Sequence, residues 1–166
     1  ILKKKWCYII YFSSCLVAKK PIIFNKKIAP DYIKLKIESE KIIKKNNSTI
    51  LRVSNVYSNK FKKDTFLYKL RSIKKKNEIL DLAKENHKRD FIHVEDISKC
   101  IMKLLKYKPK GIFNLGSGRS ITTNELIKLM SKRNIYIRRY LSNIKFKKNI
   151  DTKVNLDITK TMRELH

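Results

Sequence analysis

Glycine is scarce in this sequence: three residues in 166, at positions 111, 116 and 118. A loop that cradles a pyrophosphate needs closely spaced glycines after a strand and before a helix, so that backbone can approach the phosphates. No Gly-x-x-Gly-x-x-Gly is present, and "NLGSGRS", the one stretch with two glycines close together, reads as a turn rather than a cradle. Cysteine is equally rare. Cys7, Cys15 and Cys100 form no Cys-x-x-Cys pair and are one too many for a closed disulfide set, which argues against a zinc site and for a reducing, cytoplasmic compartment. No apolar run approaches the roughly 20 residues that span a bilayer. Acidic residues are few, 14 Asp+Glu against 41 Lys+Arg, leaving a formal net charge of +27.

Such a balance suits an anionic partner: nucleic acid, an acidic membrane surface or a phosphorylated small molecule. The lysines are spread along the whole chain, however, which favours compositional drift toward Lys, Ile and Asn over a dedicated basic tail. A nucleic-acid-binding reading is further weakened because the aromatics lie in apolar, strand-like runs rather than among exposed basic residues. With 42% hydrophobic residues the chain can bury a core, and its length suits one domain or part of a larger two-domain protein. The opening "ILKKKWCYIIYFSSCLVAKK" has the basic-then-apolar outline of a signal peptide. It reads equally well as a buried parallel strand, Tyr8 to Phe12, ending in a Ser-Ser turn.

The remaining pattern alternates strand and helix. Ile33, Ile37 and Ile42 recur near helical spacing after Asp31, a favourable helix start. "STILRVSNVY" reads as a second strand, and residues 63–75 as a helix. "DFIHVED" is a short strand or bend, and "EDISKCIMKLLKY" is an amphipathic helix closed by Pro109 and Gly111. "IFNLG" is another short buried strand, and Thr122 with Glu125 predicts a capping box. The expectation is an α/β fold.

In "DYIKLKIESE", Tyr32 and Lys36 lie one helical turn apart on one face. A tyrosine works as acid or base near neutral pH only when its phenolate is favoured, which a neighbouring ammonium does. Ser13 and Ser14 close the preceding strand, where parallel-sheet proteins present groups to ligands. A serine there can bond the substrate oxygen that gains or loses the proton.

Five stretches, in order, resemble the extended short-chain dehydrogenase/reductase family, specifically its NAD-dependent nucleotide-sugar epimerases and dehydratases. "YFSSCLV" is similar to the strand-end serine motif, with Ser14 three residues before Val17. "YIKLKIESE" is similar to the Tyr-x-x-x-Lys helix with its downstream glutamate, Glu40. "LRVSNVY" resembles the Arg-x-x-Asn-x-Tyr strand, giving Arg52, Asn55 and Tyr57. "RDFIHVEDISKCI" resembles the Arg-Asp-Phe-x-x-Val-x-Asp stretch, giving Arg89, Asp90, Val94 and Asp96. "GIFNLGSGRSITTNELIKLM" is similar to the Asn-x-Gly-x-Gly segment; beyond these five, "NLDITKTMREL" resembles more weakly the family's last helix. This order displaces the signal-peptide reading.

The resemblance implies a partial Rossmann-type parallel sheet with part of a small C-terminal substrate-binding domain. Residues 1–58 would be the second half of the dinucleotide-binding domain. Residues 59–166 would be mainly substrate-binding, with 89–110 packing back on the sheet. It implies NAD or NADP as cofactor, a nucleoside-diphosphate sugar as substrate, and a homodimer in the full-length family. Ser14, Tyr32 and Lys36 would be catalytic, with Tyr32 and Lys36 also holding the cofactor, while Asn55 and Arg89 would bind substrate. Elementary chemistry adds other roles: Arg52 could pair with a helix carboxylate, and Asp96 suits a helix N-terminus. Val-Tyr-Gly is here Val17-Ala18-Lys19, and Asn-x-Tyr-Gly-Pro is Asn55-Val56-Tyr57-Ser58-Asn59. The acidic pair of a dehydratase is replaced by Cys15-Leu16, so an epimerase or 4-keto-sugar reductase is expected instead. With the fingerprint absent, the chain is expected to be the C-terminal part of a longer enzyme; the rival expectation is an inactive remnant kept as a binding or scaffold domain.

Overall fold

Runs of Ile, Tyr and Phe in residues 8–12, and of Thr, Ile, Leu and Val in 48–53, favour extended backbone buried on both faces. The computed structural model, which describes residues 7–18, 30–58, 66–74, 88–143 and 156–165, places them side by side. The chain divides into two units: Ile1–Val56, Asp90–Arg119 and Asn155–His166 in the first, Tyr57–Arg89 and Ser120–Val154 in the second.

The first unit opens with β1 (Ile9–Ser14), a 3-10 turn (Cys15–Ala18), α1 (Pro30–Ile43) and β2 (Ser48–Val53). The short strand β3 (Asn55–Tyr57) leads into the second unit, which holds α2 (Phe66–Arg71). Strand β4 (Lys88–His93) returns the chain to the first unit for α3 (Val94–Tyr107) and β5 (Gly111–Leu115). The second unit resumes with β6 (Ser120–Thr122), α4 (Thr123–Ser131), α5 (Ile135–Tyr140) and a 3-10 turn (Leu141–Asn143). Helix α6 (Thr159–Leu165) belongs again to the first unit.

Strands β1, β2 and β5 form a parallel sheet in that order. The register pairs Ser13 with Arg52 and Ser14 with Val53, then Arg52 with Asn114 and Val53 with Leu115. Parallel neighbours need a crossover, and α1 supplies it between β1 and β2, as the alternation of the sequence predicts. The pleat sends alternate side chains to opposite faces. Leu51, Val53, Phe113 and Leu115 leave one face and pack with Ile97, Cys100 and Leu104 of α3 and Leu165 of α6. Arg52 and Ser13 leave the other face, where they meet α1. The first unit is therefore a helix–sheet–helix sandwich. Phe113 and Leu51 are fully buried, each worth about 1.5–3 kcal/mol of apolar transfer.

Local chemistry sets the ends of α3. The His93 ring caps its start by accepting the Glu95 N–H, and Glu95 and Asp96 put negative charge in the first turn, where the helix dipole favours it. At the other end Lys108 takes a left-handed conformation (φ 47°) and its N–H bonds the Leu104 carbonyl. The second unit has its own core of Leu70, Ile73, Ile127 and Ile137. Asn134 joins its parts. Its side-chain oxygen caps α5 by accepting the Tyr136 and Ile137 N–H groups, and its Nδ2 donates to the carbonyls of Arg71 and Ile73.

Candidate active site at the carboxyl end of β1

Helix α1 turns a stripe of Ile33, Lys36, Glu40 and Ile43 inward, leaving Tyr32 43% exposed at its first turn. Lys36 Nζ donates to the Phe12 carbonyl at 2.9 Å, two residues before Ser14. The same ammonium lies 5.8 Å from the Tyr32 ring centroid and 5.0 Å from that of Tyr11. Tyr32, Lys36 and the end of β1 are thus brought together, with the lysine beside both rings at cation–π range.

The two serines are used differently. Ser13 Oγ donates to Glu40 Oε1 at 2.5 Å, and both residues are buried. Ser14 is also buried, and its Oγ accepts the Leu16 N–H at 3.2 Å, which ties the 3-10 turn to the strand end. By the pleat, Ser13 lies on the α1 face and Ser14, paired with Val53, on the α3 face. The Ser14 hydroxyl also bonds the Cys15 thiol, its neighbour in the chain.

Arg52 closes a second layer beneath. Its Nε donates to Glu40 Oε1 at 3.0 Å and its Nη2 to Oε2 at 2.7 Å, a fork on one carboxylate. Burial pushes the Glu40 carboxyl up, but the Arg52 and Ser13 hydrogen bonds and the charges of Arg52 and Lys36 outweigh it and hold the group below its ordinary value. Arg52 therefore pairs with a helix carboxylate, one of the roles open to it from sequence.

Asp90 closes the turn at residues 116–118. It is fully buried; its Oδ1 accepts the Ser117 N–H at 2.8 Å and hydroxyl at 2.7 Å, and its Oδ2 accepts the Gly118 N–H at 3.1 Å. The "NLGSGRS" stretch is thus a turn closed on the chain's own carboxylate. Glycine is required at 116, because a Cβ there would come within 2.7 Å of Asp90 Oδ2, and at 118, where φ is +74°. Asn55 is exposed, and its Nδ2 donates to the Asp90 carbonyl at 2.9 Å. Arg89 falls in the second unit, half-buried on β4. Cys15 is buried beside Ser14, and burial pushes its thiol up. Among the described residues no group of three His, Cys, Asp or Glu side chains could hold a metal ion, and no helix is long and apolar enough to cross a membrane.

Sequence reasoning placed Ser13 at the strand end but found neither its partner, Glu40, nor the partners of Asp90. The available signal for Ser13 was the spacing of Glu40, one turn beyond Lys36, which aims a carboxylate at the same strand.

Comparison with known proteins agrees with this fold. The described fold is similar to an NAD-dependent NDP-hexosamine 5,6-dehydratase, TunA, involved in tunicamycin biosynthesis (18% identity, TM-score 0.67, covering 95% of this chain and 56% of that one). It is also similar to a UDP-N-acetylglucosamine 4-epimerase from Methanobrevibacter ruminantium M1 (20% identity, TM-score 0.63, 93% and 55%). A third is the UDP-glucuronic acid 4-epimerase from Bacillus cereus (18% identity, TM-score 0.61, 95% and 55%), solved with UDP-glucuronic acid and NAD. The chain spans just over half the length of these structures. No curated protein sequence matches it. The family profile described as NAD dependent epimerase/dehydratase matches residues 9–116, from the first residue of β1 to the turn that wraps Asp90, and the chain belongs to that family.

Proposed function

We propose that this chain supplies the catalytic and sugar-binding part of an NAD(P)-dependent epimerase acting on a nucleoside-diphosphate sugar, with 4-keto-sugar reduction as a variant of the same chemistry. The observation that carries this reading is the Lys36 ammonium, anchored on the Phe12 carbonyl beside the Tyr32 ring at the end of a parallel strand. In it, Tyr32 takes the proton of a sugar hydroxyl. Lys36 holds the phenol's orientation and offers its remaining N–H donors to the nicotinamide ribose. Ser14 turns its hydroxyl from the Cys15 thiol to orient the sugar oxygen. Arg89 offers a planar fork to the diphosphate, and Asn55 keeps its amide oxygen and one N–H for the sugar nucleotide.

NAD(P), when bound, accepts the hydride and returns it. Lys36 and the half-exposed Tyr32 suit its nicotinamide end. The N–H groups of the Ser117–Gly118 turn already face Asp90 and so do not suit its pyrophosphate. The three thiols are free, which fits a reducing cytoplasmic setting, and a homodimer is the assembly in keeping with the family resemblance.

A second reading, an inactive domain retaining sugar-nucleotide binding, is favoured by the serines: Ser13 is committed to Glu40 and Ser14 lies on the α3 face. One experiment separates the two. In a polypeptide joining this chain to a nucleotide-binding half, Tyr32→Phe should lower UDP-sugar epimerisation by about 10²–10⁴-fold with little change in UDP binding. Binding of UDP-sugar without turnover, and no effect of Tyr32→Phe, would support the inactive domain instead.

A further inference from the structure

Ser13 and Arg52 are direct partners across β1 and β2, so their side chains leave the sheet together, side by side. Glu40 reaches both from α1 and is only 6% exposed, too deep to meet a substrate. Its constraints are directional: the Arg52 fork fixes the plane of the carboxylate, and the Ser13 hydroxyl fixes its height over β1. Glu40 lies one helical turn beyond Lys36 and two beyond Tyr32. A helix is stiff over two turns, so the placement of Glu40 is passed on to both residues. The same helix grips adjacent residues of β1, through Lys36 on the Phe12 carbonyl and Glu40 on the Ser13 hydroxyl.

We propose that Glu40 is a positioning residue, whose bonds to Ser13 and Arg52 set the Lys36 ammonium against the Tyr32 ring at the end of β1. The proposal rests on reading Tyr32 and Lys36 as a working pair. Its test needs neither sugar nor cofactor, so it can fail while that reading stands, and it can hold while turnover is absent.

A buried ion pair that merely stabilised the fold would lower the melting temperature and leave the Lys36–Tyr32 geometry alone. The discriminating readout is the ring ¹³C shift of Tyr32 in tyrosine-labelled chain, and how far it moves when Lys36→Met removes the ammonium. That movement is compared in four backgrounds: wild type, Glu40→Gln, Ser13→Ala, and Thr161→Ala. Thr161 bonds the carbonyl of Asn114, the β5 neighbour of Arg52, and itself makes no bond to Ser13, Arg52 or Glu40, so its loss destabilises the first unit while every bond of the network keeps both partners. The Lys36→Met effect should lose roughly half or more of its size in Glu40→Gln, and a smaller part in Ser13→Ala. It should be unchanged in Thr161→Ala, although that variant also melts earlier. Should Glu40→Gln fail to fold, Ser13→Ala, a smaller change, decides alone. An undiminished effect in Ser13→Ala and in folded Glu40→Gln overturns the proposal, as does an equal loss in Thr161→Ala.

Discussion

At the scale of single residues, Glu40 links stability to pH. Its carboxyl is held below the ordinary value of 4.5 because the bonds and charges of Arg52, Ser13 and Lys36 outweigh burial. A group whose folded pKa is depressed contributes stability that is present above the ordinary value and lost as pH falls through the lowered one. Glu40→Gln should therefore be less stable than wild type at neutral pH, with the gap narrowing in acid; thermal melts from pH 7 down to about 3 read this directly. A constant gap across that range would remove Glu40 from the acid limb. The Tyr32–Lys36 face was legible from sequence because helical spacing defines it, and Glu40 was legible through the family motif it completes. The roles of Ser13 and Ser14 were not, since which serine meets α1 depends on strand register and pleat. Asp90 was legible only as part of a motif, because its partners lie 27 and 28 residues away and are assembled by the fold.

At the scale of elements, local signals translated well where the chemistry is local. The Thr122–Glu125 capping box forms in full: Glu125 N–H bonds Thr122 Oγ1 at 3.0 Å, and Glu125 Oε2 accepts the Thr122 N–H at 2.7 Å. Thr122→Ala removes the first of these bonds and should cost about 1 kcal/mol, read as a lower denaturant midpoint with unchanged slope. Thr122→Ser should restore most of it. The parallel pairing of β1 with β2 also followed from sequence, since two strands joined by a helix cannot be a hairpin. "STILRVSNVY" reads as one strand but breaks at Ser54, whose N–H bonds the Leu115 carbonyl beyond the last paired residues. That break depends on β5, over fifty residues later, and has no local signature. Helix α2 occupies Phe66–Arg71 of the expected 63–75; residues 63–65 and 75 lie outside the described residues.

At the scale of the whole molecule, these 166 residues should bind NAD weakly by themselves. Pyrophosphate affinity comes from free backbone N–H groups at a glycine-rich turn, and the one such turn described here is closed by Asp90. Calorimetric titration should give a dissociation constant weaker than the micromolar range; micromolar binding would reveal a cradle elsewhere in the chain.

The first unit is written in three separated pieces, and its core needs all of them: Leu51 and Val53 from the first, Ile92 to Leu115 from the second, Leu165 from the third. The second unit is fully spelled out by residue 154. On the ribosome, where domains fold as units while the chain emerges, the part numbered first is therefore the part finished last. β1 and β2 must wait, unsealed, through synthesis of the second unit before α6 can dock. A chain stopped at residue 154 should keep slow amide exchange at Leu70 and Ile127 while Leu51 and Phe113 exchange fast. Within these residues temporal order runs against the numbering, and the window in which the apolar strands need shelter spans the synthesis of the second unit.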